Sequence, residues 1–195
     1  MLDNYQYRQT EPTAIMEELK EQTLKDFPQL PECSYTLKDV PKALELSLSP
    51  AFYLTSPIDD SSQNVIYINK NPIYDNQPLY NTIAHEGYPG HLYQNCFYQS
   101  QNPLPVRSVV NIGGYTEGWG TYAELYSYSL AGLTKNVASF LKTNTLLTLA
   151  IYAKVDLEVN YNGWTEAEVR DYLTDFGYDK TACRTIFDAV VAEPA

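Results

Sequence analysis

The apolar positions of the chain change period twice, and the changes divide it. Over 10–27, Ile15, Leu19 and Leu24 recur at helical spacing behind an early proline, predicting a first helix that Pro28 ends. Between residues 28 and 78 the period shortens. Three β-rich runs, 34–40, 51–55 and 65–69, stand among proline-rich connections and predict a small sheet. The run NVIYIN, 64–69, lies between the turn-forming segments SPIDDSSQ and KNPIYDNQP, which predicts an exposed or edge strand whose Asn64, Ile66 and Ile68 would align an extended peptide.

Helical spacing returns at Leu79 and predicts helices over 79–99, 115–131 and 136–160, with Pro103, Pro105 and the Gly113-Gly114 pair marking the first break. Thr165 and Glu168 form a capping box, and Gly177 is placed to stop the helix it starts. A last helix carries Ala182, Cys183, Ile186, Phe187, Val190 and Val191 on one face. The expected class is α+β, mainly α: a helix and small sheet in 10–78, then a helical part in 79–195. The length of 195 residues predicts one globular unit spanning 1–195.

Composition narrows the function. A net charge of -11 without any Lys/Arg cluster excludes a nucleic-acid partner, and no run has the roughly 18 to 20 apolar residues of a membrane span. The start MLDNYQYRQT has no basic or apolar targeting region. Cys33, Cys96 and Cys183 are odd in number and far apart, which predicts buried or idle thiols rather than a disulfide framework or a thiolate zinc site. Asp59-Asp60, adjacent carboxylates in a Pro/Ser loop, read as turn-formers and receive no role.

The chemistry concentrates in IAHEGYPGHLYQ, which holds both histidines of the chain, His85 and His91. A neutral imidazole is the commonest zinc ligand, and a glutamate directly after the first histidine of a zinc motif is the usual general base for a water that the metal acidifies; Glu86 has that place. The spacing of six differs from the four of HExxH. On an unbroken helix it leaves the two side chains about 120° apart, so residues 87–90 have to deform it; Pro89 lacks an N–H and Gly90 tolerates backbone shapes other residues refuse. A catalytic zinc wants a third protein ligand. Glu117 in GGYTEGWGTYAELY is the favoured candidate; Glu124, seven residues on and on nearly the same helical face, is the alternative ligand or the partner of a ligating histidine. Gly113, Gly114, Gly118 and Gly120 would let two helices approach closely around the ion. Tyr88, Tyr115 and Tyr122 are candidate oxyanion donors by their closeness in sequence.

The segments SPAFYLTSPIDDSSQNVIYIN, TIAHEGYPGHLYQ and YTEGWGTYAELY together resemble the bacterial family called domain of unknown function 885, an uncharacterised family with an HExxPGH block, and the resemblance runs from about Thr10 to the end. It implies a zincin-like metallopeptidase fold related in plan to the carboxypeptidase Taq and oligopeptidase groups. His85, Glu86 and His91 fall on the metal-motif positions, and Glu117 on the third ligand. It also implies that the chain is a C-terminal-side fragment of a longer protein, exported or lipoprotein-anchored, with cytoplasmic residence as the alternative.

The expectation is therefore hydrolysis of peptide bonds with one zinc ion held by His85, His91 and Glu117 and with Glu86 as general base. The rival expectation is a noncatalytic peptide- or glycan-binding module with a structural or vestigial metal site, and a third is a purely structural helical domain. Oligomeric state and peptide specificity are not legible in these residues.

Overall fold

The computed structural model describes residues 5–30, 33–57, 60, 62–74, 78–110 and 112–194, so Asp59 lies outside the described residues. The chain clusters into two compact units, 1–139 and 140–195, each with an apolar cluster of its own. The architecture is α+β and mainly helical, with one three-stranded sheet. No described helix is long and apolar enough to cross a membrane.

In the first unit, helix α1 (Pro12–Asp26) begins with the proline at its first turn, where the missing N–H costs nothing. It buries Ile15, Met16, Leu19 and Thr23, whereas Leu24, expected on that stripe, is half exposed. Strands β1 (Tyr35–Asp39), β2 (Ala51–Leu54) and β3 (Asn64–Ile68) form a sheet in the order β1-β3-β2. β1 runs parallel to β3 and β2 antiparallel, with Leu37 and Tyr53 both opposite Ile66.

This order corrects the edge-strand expectation: β3, the strand of Asn64, Ile66 and Ile68, is central. Its alternation buries Asn64, Ile66 and Ile68. Turn-rich flanks announce a strand but not its place in a sheet, and a strand paired on both sides has no ladder groups left for a peptide. Asp60 accepts from Ser62 and Gln63, and these bonds hold its carboxyl below the usual carboxylate range, as suits a turn-former.

Helices α2 (Leu79–Glu86) and α3 (His91–Ser100) complete the cluster with Tyr80, Ile83, Ala84, Leu92 and Tyr93, and α4 (Gly113–Ser127) packs Trp119 against it. Burying side chains such as Ile15, Leu19, Ile66 and Ile83 contributes roughly 1.5–3 kcal/mol each, as an upper figure. Cys33 and Cys96 are joined in a disulfide, Cα atoms 6.2 Å apart, which corrects the reading of all three cysteines as idle thiols. A separation of 63 residues gives no sequence cue to a pair that only the fold brings together. Cys183 is a free, buried thiol as expected.

Helix α5 (Lys135–Asn160) leads into the second unit, where α6 (Glu166–Thr174) and α7 (Lys180–Ala192) pack Val169, Leu173, Cys183, Ile186 and Val190 against Ile151 and Val155. The Thr165–Glu168 capping box is formed, and Gly177 turns the chain with φ +83°. Val191, expected on the buried face of α7, is 52% exposed.

The disulfide gives the first prediction. Denatured chain should show one reactive thiol, Cys183, before reduction and three after it. Cys96→Ser should lower the urea midpoint of the first unit by the equivalent of up to about 4 kcal/mol, the chain-entropy value for a loop of this length. An unchanged midpoint would show that the crosslink does not constrain the unfolded chain.

Candidate metal centre

α2 turns Tyr80, Ile83 and Ala84 into the core, which leaves His85 and Glu86 at its end on flanks that are only partly covered. The helix stops there. Gly87 adopts φ -108°, ψ -105° and Gly90 φ -77°, ψ -135°, the Tyr88–Pro89 peptide is cis, and α3 begins with His91 itself. The Gly90 N–H donates to the Ala84 carbonyl at 3.0 Å, so the turn folds back on the helix it leaves. A Cβ on Gly90 would lie 1.7 Å from the His85 carbonyl oxygen; only glycine fits. The Trp119 indole of α4 donates to the Pro89 carbonyl at 2.8 Å and pins the turn from the other side.

An unbroken helix would separate residues six apart by about 9 Å along its axis. The turn brings the two imidazole rings to 4.7 Å between centroids, at 84°. Glu117 approaches from α4, its Oε2 lying 3.4 Å from His85 Nε2 and 3.6 Å from His91 Nε2. Two ligands about 2.0–2.1 Å from a tetrahedral zinc are about 3.3–3.4 Å apart, so these separations are close to the edges of a zinc coordination polyhedron. Glu124, the other carboxylate considered, takes the outer position instead: its Oε2 is 3.4 Å from His85 Nδ1. Donor atoms of His85, Glu86 and His91 also fall within 4.8 Å of one another, which makes Glu86 a second nearby carboxylate. Its Oε2, however, accepts the Tyr53 backbone N–H of β2 at 2.8 Å, and Glu117 is the oxygen that meets both Nε2 atoms.

The surroundings fit a cation. His91 is 92% buried and meets Glu117 through Nε2, while its Nδ1, the nitrogen turned away from that carboxylate, has no hydrogen-bond partner among the described residues. For His85, burial works against the charged ring, yet the bond to Glu124 and the charges of Glu86, Glu124 and Glu117 outweigh it and raise the pKa. Burial also raises the Glu86 pKa, against the opposing pull of His85, the Tyr53 N–H and His91.

Of the glycines on α4, Gly120 is the one that matters here. A Cβ there would sit 2.5 Å from His85 Nε2, whereas Gly113, Gly114 and Gly118 face open space. The tyrosine expectations do not hold. Tyr88 turns into the core against Tyr35, ring centroids 6.0 Å apart, and burial pushes its hydroxyl up to about 12. Tyr115 is 80% exposed, about 160° round α4 from Glu117. Tyr122, about 140° away, joins the aromatic group of Phe27, Trp119 and Tyr126. The Tyr53 anchor for Glu86 was missed because a backbone donor leaves no mark in a sequence; the Trp119 clamp had only the tryptophan itself as a signal.

Residues 3–185 match the family described as bacterial protein of unknown function (DUF885), and the chain belongs to it. A structure of a predicted lipoprotein from Colwellia psychrerythraea is similar with a TM-score of 0.74 at 23% identity, over 94% of this chain and 32% of that one. A predicted lipoprotein of unknown function from Shewanella oneidensis is similar with a TM-score of 0.61 at 17% identity, over 93% of this chain and 36% of that one. The fold is shared, and this chain spans about a third of the length of those proteins. No curated protein matches the chain.

Two outcomes are expected of this geometry. Gly120→Ala should leave the chain folded by circular dichroism but displace the His85 ring and weaken zinc binding at least tenfold in a competition titration. Zinc uptake should also fall with pH. In the metal-free chain the raised pKa of His85 contributes stability that is complete below the unfolded value near 6.5 and is lost as pH rises through the folded value. The proton that binds there competes with metal, so a zinc affinity independent of pH between 5 and 8 would remove His85 from the ligand set.

Proposed function

We propose that this chain carries the zinc site of a metallopeptidase, hydrolysing peptide bonds on a zincin-like scaffold. The observation that carries the proposal is the convergence of one Glu117 oxygen on the Nε2 atoms of both histidines at 3.4 and 3.6 Å. His85, His91 and Glu117 would hold the ion, and Glu124 would orient the His85 ring through Nδ1. Zinc, when bound, supplies Lewis acidity to a carbonyl and lowers the pKa of water. Glu86, adjacent to the first ligand and with its pKa raised by burial, accepts a proton at its carboxylate and returns it to the leaving amine.

The strand beside this base is β2, whose Tyr53 N–H points away from the sheet toward Glu86, so a peptide substrate would add along β2. Export or lipoprotein anchoring of the longer protein agrees with the description of both structural relatives and with the Cys33–Cys96 disulfide, since such bonds persist in oxidising compartments.

The test has two steps. Protein purified without metal-affinity resin should contain about one zinc per chain, and the His85→Ala, His91→Ala double variant should contain none. In the full-length protein, Glu86→Gln should keep the metal and lose peptidase turnover by roughly a hundredfold to ten-thousandfold. Retained turnover would remove Glu86 from the role of base. Zinc without hydrolysis in the intact wild type would favour the noncatalytic binding module.

A further inference from the structure

Asn81 stands four residues before His85, on the same face of α2, and is 2% exposed. Both ends of its amide are engaged. Oδ1 accepts the Tyr7 hydroxyl at 2.7 Å, and Nδ2 donates to Ser127 Oγ at 2.6 Å. Ser127, with no exposed surface, donates in turn to the Glu124 backbone carbonyl one turn back on α4, at 2.6 Å. The N-terminal segment that supplies Tyr7 is itself tied down where the Arg8 N–H donates to the Ala131 carbonyl at 2.9 Å.

Two polar rungs therefore cross between α2 and α4, one helical turn apart: Asn81 to Ser127, and His85 to Glu124. Position numbers rise along α2 as they fall along α4, so the helices are antiparallel. The buried apolar positions beside these rungs, one on each helix, are small. Ala84 and Ala123 are fully buried, and Gly120 lies bare against the imidazole. Small side chains make shallow ridges that hold axial register weakly. A buried amide is directional, and sliding it by one residue, about 1.5 Å, would leave both donor and acceptor unsatisfied.

We infer that Asn81 is a positioning residue: through Ser127 it fixes the register of α4 against α2, and that register holds Glu124 at His85 Nδ1. Its consequence for zinc rests on the metal-site reading; its consequence for the His85 ring does not.

With only two histidines in the chain, nitrogen NMR of the imidazole rings gives two spin systems. In metal-free wild type, at a pH where both rings are neutral, one ring should be locked with Nδ1 protonated toward Glu124. Asn81→Leu, which keeps the volume but not the amide, should release that lock and let the Nε2-protonated form dominate. Ser127→Ala removes the other half of the rung in a change small enough to fold, and the double variant should be no worse than either single one. Thr23→Val, which deletes a different buried bond in the same unit, from Thr23 Oγ1 to the Leu19 carbonyl, should leave the lock intact. Zinc affinity should fall about tenfold in the Asn81 and Ser127 variants. An unlocked ring in wild type, a lock that survives both substitutions, or one lost equally in Thr23→Val overturns the inference. A locked wild-type ring that responds as described in a chain that takes up no zinc supports the inference and removes the metal reading.

Discussion

The centre of the first unit depends on one interruption, the four residues 87–90 at which a helix cannot continue. An α-helix turns about 100° per residue, and a spacing of six sends two side chains to different sides of it. The interruption removes that constraint by replacing helical continuity with two longer-range bonds, from the Gly90 N–H to the Ala84 carbonyl and from the Tyr93 N–H to the Gly87 carbonyl, the first made possible because Gly90 has no side chain to strike the His85 carbonyl. His91 then begins a new helix with its ring against that of His85. The Trp119 indole holds the Pro89 carbonyl from α4, the helix that also supplies Glu117, so the turn and the Glu117 carboxylate are positioned by one element.

Around this pair the charges are unbalanced. Glu86, Glu117 and Glu124 surround two imidazoles, and the shifts resolved there run in one direction: His85 and Glu86 both hold protons more tightly than usual. The local balance favours added positive charge. Without metal, bound protons would supply part of it, and a divalent cation would supply more in the same place. The same field would leave a neutral or anionic ligand at this position without compensation.

Much of this was legible in the sequence, for identifiable reasons. The histidine spacing together with Pro89 and Gly90 demanded a break, because helix geometry is fixed by the backbone. Glu117 and Glu124 shared a face for the same reason. Local signals also located the strands, the Thr165–Glu168 cap and the Gly177 stop. What failed were statements that need the third dimension. The rank of β3 within its sheet, the Cys33–Cys96 pair and the outward faces of Tyr115 and Tyr122 depend on which element packs where. Nearness in sequence suggested Tyr88 as a donor, but the turn that brings His91 inward also carries Tyr88 into the core.

The misplaced edge bears on the chemistry. Once β3 is central, the strand bordering the site is β2, and its Tyr53 N–H is already bonded to Glu86 at 2.8 Å. That bond aims the carboxylate, whose burial would otherwise leave an oxygen unsatisfied. On the proposed function, a peptide lying along β2 and the base compete for one donor. Strand addition that claims the Tyr53 N–H releases Glu86 toward the reacting atoms, whereas addition that spares it keeps the carboxylate fixed at the edge of the sheet. On that proposal, placement of the base and alignment of the peptide would be one geometric problem, joined at the Tyr53 backbone amide.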